Sequence, residues 1–181
     1  MPGSARPVVV VGDPVLHTPT AAVTEFDQAL ASLIEDLFAT MYVAEGVGLA
    51  ATQIGVGLSV FVYDCHDAED VQHRGHLVNP RIVATSKAEA KIEEGCLSVP
   101  GPYAPLARPF EVTVVGQDQH GDRLEVTGTG FLARCLMHET EHLDGILYID
   151  HLNRRKRNRI LQEIEPFDWN APLFESQPQP S

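Results

Sequence analysis

The segment Met137-His138-Glu139-Thr140-Glu141-His142 is the part of this chain best equipped for chemistry. It contains His-Glu-x-x-His. On a helix, residues four apart share one face, so His138 and His142 can grip one metal ion together. Glu139 sits beside that grip, where a carboxylate can pass protons to and from an activated water. Two histidines do not complete a catalytic metal site, which usually takes three protein ligands and keeps one position open.

Two thiols compete for the third place. Cys135 lies on the same helix face, but ligands at Cys135, His138 and His142 would spread over about 10 Å of helix rise, too far for one ion. Cys135 therefore reads as a small buried residue on a pocket floor. Cys96 lies in Glu93-Glu94-Gly95-Cys96-Leu97-Ser98, where Gly95 permits a turn that could bring the thiol to the helix. The residues alone leave Cys96 open between metal ligand and buried structural cysteine.

The elements that must position these groups follow from periodicity and turn chemistry. Asp27 caps a first helix whose Leu30, Leu33, Ile34, Leu37, Phe38 and Met41 form a buried stripe ending before Gly46-Val47-Gly48. Val8 to Val11 reads as a short strand or extended segment, and Leu58 to Tyr63 as a strand. Leu77-Val78 and Ile82-Val83 flank Asn79-Pro80, a strand interrupted by a turn or bulge. Glu111 to Gln117 and Leu124 to Thr127 form a hairpin. The histidine helix then opens near Gly130 and stops at Gly145, and a polar helix runs from about Asn153 to Glu165.

This order predicts a mixed α+β fold, with small antiparallel sheets packed around a central helix of the C-terminal half that carries the histidines. Residues 1–165 are expected to form one domain and 166–181, polar and rich in Pro and Gln, a disordered tail.

Composition narrows the function classes. A net charge of -12 argues against a DNA binder or a ligand of anionic membranes. No apolar run approaches a membrane span, the N-terminus is not a convincing signal peptide, and three cysteines make no disulfide framework. A cytoplasmic location is the expectation. The basic run at Arg154, Arg155, Lys156, Arg157 and Arg159 reads first as a solvated helix surface, with a local contact to ribosomal RNA as the alternative.

Three ordered segments carry a resemblance: Gly46-Val47-Gly48-Leu49-Ala50-Ala51-Thr52-Gln53, Glu94-Gly95-Cys96-Leu97-Ser98, and His138-Glu139-Thr140-Glu141-His142-Leu143-Asp144-Gly145. Together they resemble the signatures of the peptide deformylases, which remove the formyl group from the N-terminal methionine of new bacterial proteins. The resemblance runs from about Val9 to about Asn153. It implies that Cys96, His138 and His142 hold one divalent metal ion and that Glu139 moves the proton. It also implies that the Leu97 backbone N–H and the Gln53 amide hold the developing oxyanion. Gly48 would hold the formyl-peptide, Val47, Ile92, Phe131, Arg134, Cys135 and His138 would line the methionine pocket, and Glu94 would order the loop and pocket. The Arg134 stem is expected at the rim, with its charge in solvent.

In the family the cellular metal is usually Fe2+, with Zn2+, Ni2+ or Co2+ able to replace it. The implied partner is a nascent N-formylmethionyl peptide. Two departures flank the histidines: Met137 stands where most members have Gln, and Glu141 where they have Asp. Tyr103 stands where an arginine is frequent. The competing readings are a metallo-amidase for another acyl group and a non-catalytic, ribosome-associated relative that binds formyl-methionyl peptides.

Overall fold

The computed structural model describes residues 3–164, so the expected tail at 166–181 lies outside the described residues. Helix α1 (Gln28–Val43) begins where Asp27 Oδ1 accepts the Leu30 N–H, and its predicted apolar stripe is buried throughout. The main sheet has five antiparallel strands in the order β1-β2-β3-β6-β7. They are β1 (Gly48–Ala50), β2 (Val60–His66), β3 (Gln72–Thr85), β6 (Glu111–Gln117) and β7 (Arg123–Thr129). Strands β4 (Glu89–Cys96) and β5 (Val99–Pro109) form a separate two-stranded sheet.

β2 explains the layering. Its residues alternate between two cores. Val60 and Val62 pack with α1, whereas Phe61, Tyr63 and Cys65 pack with helix α2 (Gly130–Leu143). A strand covered on both faces reads as a continuous apolar run, which is what Val60 to Tyr63 shows. α2 is thus central, with eleven of its residues buried. This is the expected fold: antiparallel sheets around the helix that carries His138 and His142.

The interruption at Asn79-Pro80 is a break in the β3–β6 register between Val78 and Arg81. Asn79 adopts φ 49° there, and its side chain bonds both backbone groups of Val23. Val8 to Val11 is not a strand; residues 8–10 have no regular structure and Val11 enters a turn. The Val9 N–H donates to the Gln53 carbonyl and the Val11 N–H to the Ser98 carbonyl, both at 2.8 Å. The polar helix α3 (Arg154–Gln162) starts at the Asn153 cap. A third apolar cluster, with Val99, Ala104, Leu147, Tyr148, Ile149 and Ile160, joins β5 to the C-terminal segment.

Candidate active site

Three separate segments bring their side chains to one cavity of about 410 Å³. α2 presents His138 to the cavity, with the fully buried His142 one turn further along, behind the wall. The end of β4, just before the two-residue turn Leu97-Ser98, presents Cys96, which follows a register shift between Glu94 and Cys96. The β1 edge and the short 3-10 turn Ala51–Ile54 present Gly48 and Gln53.

The Cys96, His138 and His142 ligand atoms lie within 4.8 Å of one another. His142 Nε2 is 3.3 Å from Cys96 Sγ and 3.1 Å from His138 Nε2. Ideal tetrahedral zinc-type bonds would place such atoms about 3.4 to 3.6 Å apart. Two imidazole nitrogens and a sulfur converging at this spacing suit a shared divalent cation, so the donor set fits one. Burial pushes His142 well below the ordinary imidazole value, keeping the ring neutral and able to ligate. His138 Nδ1 is bonded to Glu94 at 2.7 Å, an arrangement that fixes the ring and leaves Nε2 facing the site. Cys135 stands apart from this cluster: its Sγ contacts the Val47 carbonyl at 3.6 Å, and the neighbouring Cys65 thiol together with burial holds its pKa well above the ordinary thiol value.

Glu139 is 4% exposed and lines the cavity, with Oε2 unpartnered among the described residues. Burial pushes its pKa up to about 7, opposed by the charge of His138. A carboxyl that titrates near neutrality suits proton transfer in both directions. Gly48 makes room for it: a Cβ there would lie 2.6 Å from Glu139 Oε1 and 2.8 Å from Cys135 Sγ. Gln53 is 1% exposed, and its Oε1 accepts the Ala50 N–H at 2.9 Å. That bond places the amide NH2 toward Cys96 Sγ, 3.6 Å away.

Val47, Gly48, Glu94, Leu97, Phe131 and Arg134 also line the cavity. Ile92 does not; it is 42% exposed on β4, opposite Leu106. Arg134 requires a correction. Its guanidinium is buried at 3% exposure, donating to Glu94 Oε2 at 2.6 Å and to the Ala90 carbonyl at 2.8 Å. The buried Glu94 carboxylate requires cationic partners, and Arg134 supplies one of them. Met137 is likewise not beside the cavity; it is buried with the α2 core against the sheet.

Arg108 was missed by sequence reasoning. It is 5% exposed, donates to both Glu94 oxygens at 3.0 and 2.7 Å, and donates to Glu141 Oε1 at 2.7 Å. Burial opposes ionisation of Glu94, but the bonds from His138 and Arg108 override it and hold its pKa well below the usual carboxylate range. Arg108 thereby links the residue that holds His138 to the residue beside His142. The only local signal was a lone cation inside the mostly uncharged run Val99–Pro109.

A sequence model described as polypeptide deformylase matches residues 5–158. Peptide deformylase 1 of Streptomyces avermitilis is 52% identical over 174 residues, covering 94% of this chain and 81% of that protein. Peptide deformylase 2 of Streptomyces coelicolor is 49% identical over 168 residues, covering 93% and 94%. The crystal structure of a peptide deformylase from Legionella pneumophila superposes with a TM-score of 0.82 at 40% identity, covering 97% of this chain and 100% of that one. With the matched region spanning every residue of the cavity discussed above, the chain belongs to the polypeptide deformylase family.

Proposed function

We propose that this chain is a metal-dependent peptide deformylase that hydrolyses the N-formyl group of N-formylmethionyl nascent peptides. The observation that carries it is the convergence of Cys96, His138 and His142 around a cavity that also holds a buried, unpartnered Glu139 carboxylate. When bound, the metal ion supplies Lewis acidity that activates water and polarises the formyl oxygen. Glu139, buried beside the site, takes the proton from water and returns it to the leaving amine nitrogen. The Gln53 amide and the Leu97 backbone N–H, both at the cavity, stabilise the developing oxyanion. The Glu94 bond to His138 holds that ring in place.

Beyond the formyl group, Val47, Phe131, Cys135 and the buried stem of Arg134 offer a largely apolar wall for a methionine side chain. Fe2+ is the metal we assign in the cell, with Zn2+, Ni2+ or Co2+ as replacements. A cytoplasmic location follows from a nascent-chain substrate, and no described helix is long and apolar enough to cross a membrane. On α3, Arg157 and Arg159 pair with Asp150 and Glu163, while Arg154, Arg155 and Lys156 stay exposed as a surface for transient contact with the ribosome.

The test is anaerobic purification with metal analysis, coupled to turnover of a formyl-Met peptide and its acetyl counterpart. Stoichiometric metal with turnover of the formyl peptide alone is expected. Turnover of acetyl peptide at equal rate would point to a broader amidase, and tight binding without turnover would point to a non-catalytic relative.

A further inference from the structure

We propose that Ser98 is a positioning residue for this reaction, its buried hydroxyl holding the Gln53 side-chain amide so that one N–H stays aimed into the site. The inference rests on the functional reading above. A Gln side chain ends in a terminal torsion with a broad, roughly two-fold profile, so rotamer preference alone does not fix the plane of its amide. Three contacts fix it here. Oε1 accepts the Ala50 N–H at 2.9 Å, which decides which end of the amide is oxygen. Nε2 donates to Ser98 Oγ at 3.2 Å. The other Nε2 proton is left facing Cys96 Sγ at 3.6 Å, long for a strong bond. That weakly held donor is the one free to serve an oxyanion.

The geometry is built rather than incidental. Ser98 is fully buried and Gln53 is 1% exposed, so their contact is shielded from bulk solvent. The segment 9–11 bonds both residues through their main chains, Val9 N–H to the Gln53 carbonyl and Val11 N–H to the Ser98 carbonyl. One strap therefore sets the distance between the amide and its hydroxyl. Without the hydroxyl, Gln53 keeps only the Oε1 anchor and the long sulfur contact, and its free N–H no longer has a fixed direction. A preorganised donor that must be reoriented in each turnover loses much of its benefit in the transition state.

Metal-loaded Ser98→Ala is expected to lose about tenfold in kcat, the worth of one hydrogen bond, with KM within about twofold and metal content unchanged. Gln53→Ala, which deletes the donor, is expected to lose about 10² to 10³. The double variant should be no slower than Gln53→Ala, because Ser98 acts only through that amide. A second readout does not depend on turnover. In the Co2+-loaded protein the thiolate-to-cobalt charge-transfer band should move to lower energy in Ser98→Ala as the amide swings away from Cys96, and Gln53→Ala should move it in the same direction. If Ser98→Ala folds poorly, the isosteric pair Ser98→Thr and Ser98→Val carries the same comparison, since only Thr keeps the hydroxyl. Additive losses in the double variant, or an unmoved band, would overturn the assignment. Wild-type protein that binds metal but turns over no formyl peptide would instead refute the functional reading on which it rests.

Discussion

Replacing Glu139 with Gln should raise the stability of the metal-free protein while abolishing turnover, and the stability gain should depend on pH. Unfolded, Glu139 releases its proton near the ordinary 4.5; folded, burial holds the proton to about 7. Between those values the native state keeps a proton that the unfolded chain has lost. Stability therefore falls as pH rises through this window, and the loss is complete above the folded value. The full shift corresponds to about 3 kcal/mol, at about 1.4 kcal/mol per pH unit. Solvent screening does not discount it, because the residue is 4% exposed.

The Glu139→Gln side chain cannot ionise and escapes this penalty. It does bury an amide, and Glu139 Oε2 already lacks a partner, so a pH-independent cost of about 1 kcal/mol is expected. The useful observable is thus the change with pH. Urea unfolding of metal-free wild type and Glu139→Gln should give a stability difference that moves by about 2 kcal/mol in favour of the variant between about pH 5.5 and about pH 8. Titrating groups that do not face Glu139 are common to both proteins and cancel; His138, whose charge interacts with that of Glu139, is the exception and offsets part of the change. The loaded variant should keep its metal and lose at least about 10² in kcat. A stability difference that does not change with pH would show that Glu139 is not held protonated by burial, and normal turnover would remove it from the proton path.

Cys96→Ala should lose stoichiometric metal by elemental analysis, whereas Cys135→Ala should keep it; the opposite pattern would move the third ligand to α2. Gly48→Ala should lose about a hundredfold in kcat/KM, because its Cβ would lie 2.6 Å from Glu139 Oε1 and displace the carboxylate. An X-ray structure showing Glu139 unmoved, with full activity, would refute that account. Arg108→Met should destabilise the protein by about 3 kcal/mol or more in urea, since it strips two donors from the buried Glu94 carboxylate and leaves the partly buried Glu141 without its guanidinium partner. A cost below about 1 kcal/mol would mean that His151, 3.0 Å from the same Glu141 oxygen, satisfies the carboxylate alone.

What could be read from the sequence was whatever is set by local spacing. The α1 stripe, the β6–β7 hairpin and the His138/His142 pair all follow from periods of a few residues, and each lies where the spacing places it. The β4–β5 hairpin escaped because β5 carries prolines at 100, 102, 105 and 109 and β4 is rich in charge. A two-stranded sheet tolerates them because its outer edges need no ladder donors, so the composition that argues against a strand is permitted there. The polar network was hidden for a different reason. Glu94 meets Arg108, Arg134 and His138 at separations of 14, 40 and 44 residues, and nothing local to any of them announces the others.

The same logic accounts for both departures beside the histidines. Met137 points away from the metal face into the apolar cluster that joins α2 to the sheet. A thioether is satisfied there, whereas a glutamine amide would need buried partners. Glu141 also turns from the metal, toward Arg108 on β5 and His151 beyond the helix, at 2.7 and 3.0 Å. Its additional methylene adds reach to a carboxylate that ties three elements together. Neither side chain belongs to the Cys96–His138–His142 cluster, so both substitutions alter how α2 is held and leave the ligand set unchanged. Their effects should therefore appear first in stability and metal retention, and only through those in turnover.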